Sequence, residues 1–331
     1  MAYHRRDWFG GNEFLGHAFL AVDFFFLLSG FVLAHAYSQR LTDQRDVSIF
    51  IRERIIRLHP MLVAGAILAI LVAFVDAYKA DLPFVYFATF ALSHMVPFPV
   101  LWGSLPAAFP WNIAIWSLFW ELLANLLFAF LAPWLTIRTL IAIVVVNIVT
   151  MIFVSFSVNG FQVGFARDPS QFIWGFPRVC ASFFFGILIY KTHVINSYNS
   201  KFVSIICTCL LILTFCAVSN NSSVSYIYDP LIAYGVYPIL LVVAARVNPT
   251  MPRVAALLGA ISYPLYIIHE PMLKVVGGLL RLTKLSNGFP NEIEAILRLS
   301  SVIGLAFFIL KIYDEPVRSM LRRWLKRSHL R

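Results

Sequence analysis

The sequence predicts an all-α, polytopic transmembrane helical bundle, and three observations carry the prediction. Of 331 residues, 60% are hydrophobic and 13% are charged, whereas soluble domains carry about 25% charged residues. A water-soluble fold of this length has no interior large enough for that apolar excess. The apolar residues come in runs of about 20, the length of a helix crossing about 30 Å of hydrocarbon. The net charge of +10 is gathered in short clusters between those runs, such as "RERIIR" and "LRRWLKRSHLR". Basic residues take that arrangement at the cytoplasmic surface of a bilayer, which makes the lipid bilayer the expected partner and leaves no role for nucleic acid.

The elements follow in order. Residues 1–16 form an outer loop that opens "MAYHRRDWFGG". The run 17–37 is longer than the apolar core of a signal peptide and contains Asp23, so it reads as a retained span. Further spans are expected at 61–78, 112–131, 136–158, 173–191, 202–218, 228–245, 255–280 and 296–313, giving about nine full crossings. Segment 82–102 is also apolar, but it holds His94, Pro97 and Pro99 and makes a poor helix. Topology argues the same way. The loop with Arg40, Arg45, Arg52, Arg54 and Arg57 and the tail from Arg318 are both basic, so both are placed in the cytoplasm. An even number of spans must separate them, and 82–102 is therefore assigned as re-entrant or interfacial on the outer face. With no repeat and no long polar loop, residues 1–331 read as one membrane-embedded domain: bundle 17–313, basic cytoplasmic tail 314–331. Any site must be built from the spans and their short loops.

Ionisable groups inside spans are expensive and tend to be functional. In "LAVDFFFLLSGF", Asp23 lies between Gly16 and Gly30, seven residues to either side. Small residues on that face allow a second helix to approach. Asp23 then either meets a neighbouring donor in a packing role or, with Ser29, faces a polar cavity. In "FIRERIIRLHPML", Arg54 and Arg57 share a helix face, with Arg52 beside them. They serve as positive-inside anchors or as an anion-binding edge for a phosphorylated cytosolic ligand. In "WSLFWELLANLL", Ser117, Glu121 and Asn125 fall at i, i+4 and i+8, one polar stripe with Trp116 at its mouth. A glutamate there is costly unless it is paired or acts on something; the stripe reads as the wall of a cavity. In "GAISYPLYIIHEPML", Ser262, Tyr266 and Glu270 repeat at four with His269 beside them, and Pro264 and Pro271 are expected to bend or break the helix. Broken helices at membrane depth occur where they line a cavity.

Cys180, Cys207, Cys209 and Cys216 lie inside apolar runs without zinc-type spacing and read as small buried hydrophobes. No metal-binding pattern of the H-E-x-x-H kind and no P-loop is present, and no metal is expected.

Taken in order, "VDFFFLLSGFVL", "FIRERIIRLHP", "WSLFWELLANLLF", "RVCASFFFGILIY", "ISYPLYIIHEPML" and "YDEPVR" resemble the acyltransferase-3 family of integral membrane acyltransferases. The resemblance covers nearly the whole chain. Members of that family usually begin with a further span that ends in a histidine. "YHRRDWFGG" matches the end of that span, so the resemblance implies that most of the first helix is missing, that the complete protein has ten spans, and that His4 is the catalytic histidine. It further implies transfer of an acyl group, most often acetyl, from cytosolic acyl-CoA to a hydroxyl of an extracytoplasmic carbohydrate such as O-antigen or exopolysaccharide. Acyl-CoA is then a co-substrate and no cofactor is tightly bound. The setting is a bacterial inner membrane with the C-terminus in the cytoplasm. Under this reading His4 is a general base, Glu121 orients it, and Arg52, Arg54 and Arg57 hold the donor phosphates. The competing class is a transporter of a glycan or small anion, which also places polar residues in interrupted helices; the sequence lacks the inverted repeats that class predicts.

Overall fold

The computed structural model describes residues 15–37, 44–80, 93–101, 107–166, 168–192, 200–216, 224–282 and 291–328. Among the described residues every extended element is helical. In chain order these are α1 (Ala21–Tyr37), α2 (Gln44–Ala80), α3 (Ile115–Leu131), α4 (Ile137–Ser157), the single turn α5 (Pro169–Phe172), α6 (Gly175–Thr192), α7 (Lys201–Cys216), α8 (Ser225–Leu231), α9 (Tyr237–Ala244), α10 (Pro252–Leu282), α11 (Asn291–Ile309) and α12 (Glu315–Ser328). A π-helical stretch, Ile232–Val236, joins α8 to α9, and another, Leu310–Asp314, joins α11 to α12. Seven helical segments among the described residues are long and apolar enough to cross a membrane. The remaining two predicted spans are helical too: α7, with 16 residues, and α10, with 31. The protein is an all-α, multi-pass integral membrane protein.

Segment 82–102 is described only at 93–101, where one helical turn at residues 93–95 leads through a turn containing Pro97 into irregular chain carrying Pro99. Val100 N–H donates to Ala108 O at 3.1 Å. The remainder of that segment lies outside the described residues.

The described residues group into two compact units. One comprises Gly10–Val47 and Trp120–Pro252. Its centre is the pairing of α1 with α6, and α4 lies against α6 as well. Lipid tails are as apolar as leucine, so helices adhere in a bilayer by close packing more than by burial from water. Small residues provide that closeness here. A Cβ on Gly30 would sit 1.9 Å from Phe183 O, and one on Gly186 would sit 2.0 Å from Leu27 O. The seam is therefore backbone against backbone at two points. Leu20, Leu27, Phe31, Met151, Val154, Ile189 and Tyr237 fill the apolar core beside it.

The other unit includes Ser48–Phe119 and Arg253–Arg331. Helix α2 has 37 residues with Pro60 inside it, a length of about 55 Å at 1.5 Å per residue. That is nearly twice the hydrocarbon thickness of about 30 Å, so the polar part before Pro60, where the arginines lie, projects from the apolar layer. Ala69, Val72, Ala73, Val100 and Trp111 form a second apolar cluster, against which Val275 packs. The Tyr263 hydroxyl donates to Leu58 O at 2.8 Å and ties α10 to α2.

The prolines of α10 depart from expectation: the helix runs unbroken through Pro264 and Pro271. The physical reason is visible at Pro271. A proline has no N–H for the carbonyl four residues back, which here is Ile267 O. Asn112 Nδ2 donates to that carbonyl instead, at 2.8 Å. Gly65 of α2 makes room for the same turn, since a Cβ there would meet Ile267 Cγ2 at 2.4 Å.

Candidate active site

In the first unit the candidate side chains begin with Glu121 and Asn125 of the polar stripe on α3. Glu121 is 3% exposed and accepts the Ser29 hydroxyl of α1 at 2.7 Å. Asn125, one turn further along, is 1% exposed, and neither its amide nitrogen nor its oxygen has a hydrogen-bond partner among the described residues. A buried amide without partners is rare, because each unmade bond carries a desolvation penalty of about 1–3 kcal/mol. The stripe thus presents a carboxylate and an amide to the interior of the unit. Trp120, between them and the stripe's start, donates its indole N–H to Gly164 O at 3.0 Å and fixes the helix rotation.

Asp23 occupies a different position in the same unit. It is fully buried and accepts a two-pronged contact from Arg178 of α6, Nε to Oδ1 at 2.9 Å and Nη2 to Oδ2 at 2.6 Å. The guanidinium's remaining nitrogen, Nη1, donates to Val163 O at 3.1 Å, and its plane lies over the Phe161 ring at 5.0 Å. Every charged atom of the pair is matched, as a buried ion pair requires. The geometry gives Asp23 an inter-helix bond. Nearby, His17 Nδ1 contacts Asp229 Oδ1 at 2.6 Å, both side chains being buried, and the imidazole packs edge-on to Tyr228. Sequence reasoning quoted the span of Arg178 without giving that residue a role, and it passed over His17 and Asp229. The available signal was a lone arginine inside the apolar run 173–191.

In the second unit, Ser117 Oγ and Tyr266 OH lie 2.5 Å apart, and Trp116 beside them is 8% exposed. His269, 4% exposed, has its Nδ1 at 2.6 Å from Tyr266 O. A carbonyl only accepts, so Nδ1 carries the proton and Nε2 is the basic nitrogen of the neutral ring. The Glu270 carboxylate accepts the backbone N–H of Ile113 and of Ala114 at the entry to α3, where unpaired amides and the helix dipole favour a negative group. Lys274 Nζ stands 3.6 Å from its other oxygen. Ser262 is apart from these: it is exposed and returns its hydroxyl to Gly259 O at 2.9 Å. The i, i+4, i+8 pattern on α10 therefore spans two environments.

The arginine edge lies on the polar part of α2. Arg54 and Arg57 are half-buried and Arg52 is exposed. Arg57 lies within electrostatic range of Arg54, Arg318, Asp314 and Tyr263. His4 lies outside the described residues.

The comparisons with known proteins agree with this picture at family level. Residues 2–311 match the model of the acyltransferase-3 family, described as "Acyltransferase domain". The chain is 30% identical over 162 residues to "Protein 2 in picA locus" of Rhizobium radiobacter, a match covering 45% of this chain and 83% of that protein. No solved structure matches the chain.

Proposed function

On the premise that the chain belongs to the acyltransferase-3 family and is a membrane acyltransferase, we propose that it moves an acyl group, acetyl in the first instance, from cytosolic acyl-CoA to a hydroxyl of an extracytoplasmic carbohydrate. The setting is a bacterial inner membrane, with the arginine edge and the C-terminal tail in the cytoplasm.

The observation that carries the reading is the α3 stripe: a glutamate 3% exposed and an asparagine 1% exposed inside an apolar helix, with the asparagine amide making no bond to any described residue. Such groups are expensive at membrane depth and persist where a polar substrate or intermediate is handled. Glu121 accepts the Ser29 hydroxyl, which holds one oxygen and fixes the carboxylate's direction.

In the proposed reaction, Arg54 and Arg57 bind donor phosphates by charge-assisted bonds, with exposed Arg52 adding to the local positive potential. The imidazole of His4 removes the proton of the acceptor hydroxyl as its oxygen attacks the thioester carbonyl. Glu121 balances the imidazolium that forms. The CoA thiolate leaves and takes up a proton, and an ester remains on the acceptor. Trp116, Ser117, Tyr266 and His269 supply aromatic and hydrogen-bonding surface for the donor arm and the acceptor.

The test uses the gene product expressed in its host membrane, with base-labile acetyl on surface carbohydrate as the readout. Glu121→Gln and His4→Ala are each expected to lower acetylation by about 10²-fold or more, the scale of a lost acid–base group. Unchanged acetylation in either variant, at equal protein level, removes that residue from the mechanism.

A further inference from the structure

The motif "YDEPVR" enters the described structure at a place the proposed chemistry does not use. The π-helical stretch Leu310–Asp314 breaks the regular register immediately before α12, and such stretches gather at functional positions. It ends at Asp314, whose side chain is 1% exposed and lies 2.6 Å from Arg318 Nη2. The other carboxylate oxygen, Oδ1, is buried without a hydrogen-bond partner among the described residues. Asp314 and Arg318 both lie within electrostatic range of Arg57. Glu315, the next acid along, is engaged elsewhere: Lys311 Nζ contacts its two oxygens at 2.7 and 2.9 Å.

Among the described residues, Arg57 thus lies within electrostatic range of two further guanidiniums, Arg54 and Arg318, and of one carboxylate, Asp314. Arg54 Nε is itself buried without a hydrogen-bond partner among the described residues. Partly buried like charges repel, and one carboxylate leaves them with a positive excess that screening by water does not remove. A multiply charged phosphate ligand relieves that excess, and planar guanidinium forks match phosphate oxygens two at a time.

We infer that Arg318 is a third phosphate-binding arginine, joined with Arg54 and Arg57 in one cradle for the phosphorylated end of the acyl donor, and that Asp314 is the positioning residue that aims it. The inference rests on the proposed use of acyl-CoA. It adds α12 to the donor site and leaves Arg52 outside the cradle. A carboxylate held at one end of the Arg318 fork keeps the long side chain from swinging away, so less conformational entropy is lost when the ligand arrives.

The experiment measures binding of CoA to the purified full chain in phosphatidylcholine nanodiscs by calorimetry. Wild type is expected to bind. Arg318→Gln should weaken binding by about ten- to hundredfold, the equivalent of one charged hydrogen bond. Arg318→Lys, which keeps the charge and loses the fork, should fall between the two. Asp314→Asn should weaken binding while Asp314→Glu retains it, a difference that general misfolding does not produce. Arg322→Gln, at an exposed arginine of α12, should bind as wild type. If wild type binds CoA and the folded Arg318 and Asp314 variants bind it equally well, the cradle is overturned and the acyl-CoA reading stands. If wild type does not bind CoA, both are overturned. If the substitutions instead change the response to added phosphatidylglycerol and leave CoA binding alone, the site holds a lipid headgroup and the cradle is overturned.

Discussion

Asp23 and Arg178 show how much a single residue's meaning depends on a partner that sequence does not reveal. An aspartate in the middle of "LAVDFFFLL" has to be paired or functional, and both readings stood open. Its partner lies 155 residues away, beyond any local pattern. Removing one member of such a pair leaves a charge buried without its counter-ion, typically at about 3–5 kcal/mol. Asp23→Asn is accordingly expected to lower the stability of the detergent-solubilised protein by about that amount. The double variant Asp23→Leu with Arg178→Met should recover part of the loss. Thermal unfolding of the three proteins checks this; a single variant within about 1 kcal/mol of wild type contradicts the ion-pair account. Glu121 and Asn125 were more legible. Their four-residue spacing on an apolar helix already announced one polar face, and both are buried on it. The Ser29 contact was not readable, because it joins residues 92 positions apart.

At the scale of elements, nearly every helix was legible, since a run of about 20 apolar residues admits few alternatives in a bilayer. The unbroken course of α10 was not. Two prolines in "SYPLYIIHEP" argue for interruption as long as no donor replaces the missing N–H, and at Pro271 the donor is Asn112, from another part of the chain. The explanation makes a coupled prediction. Asn112→Ala leaves Ile267 O unsatisfied and should cost about 1–3 kcal/mol. In a Pro271→Ala background the cost should shrink, because residue 271 regains an N–H for that carbonyl. A double-mutant cycle by thermal unfolding measures the coupling, and strict additivity contradicts the account. The α1–α6 seam follows the same logic of local fit. Gly186→Ala forces a Cβ onto Leu27 O, and the helices must separate. Destabilisation of about 1–3 kcal/mol is expected, with Gly235→Ala, whose nearest neighbour is a side chain at 3.6 Å, as the mild control.

For the whole molecule, composition alone identified a membrane protein, and the order of six short motifs identified its family. Neither identifies the chemistry's direction. The proposed function needs the donor on the side of the arginine edge and the acceptor on the opposite side, which is a statement about the bilayer as much as about the fold. In the proposed function the basic stretches around Arg54, Arg57 and α12 set that orientation by charge, and the buried α3 stripe is assigned the chemistry.

The most direct measurement separates the two faces. Membrane vesicles of defined orientation, carrying the protein and an acceptor polysaccharide, are given acyl-CoA labelled in the acyl group. The account predicts label in base-labile ester on carbohydrate inside inverted vesicles, where the cytoplasmic face is outward. It predicts none from sealed right-side-out vesicles, and none from inverted vesicles carrying Glu121→Gln. Equal labelling from both orientations, or undiminished labelling with Glu121→Gln, contradicts it.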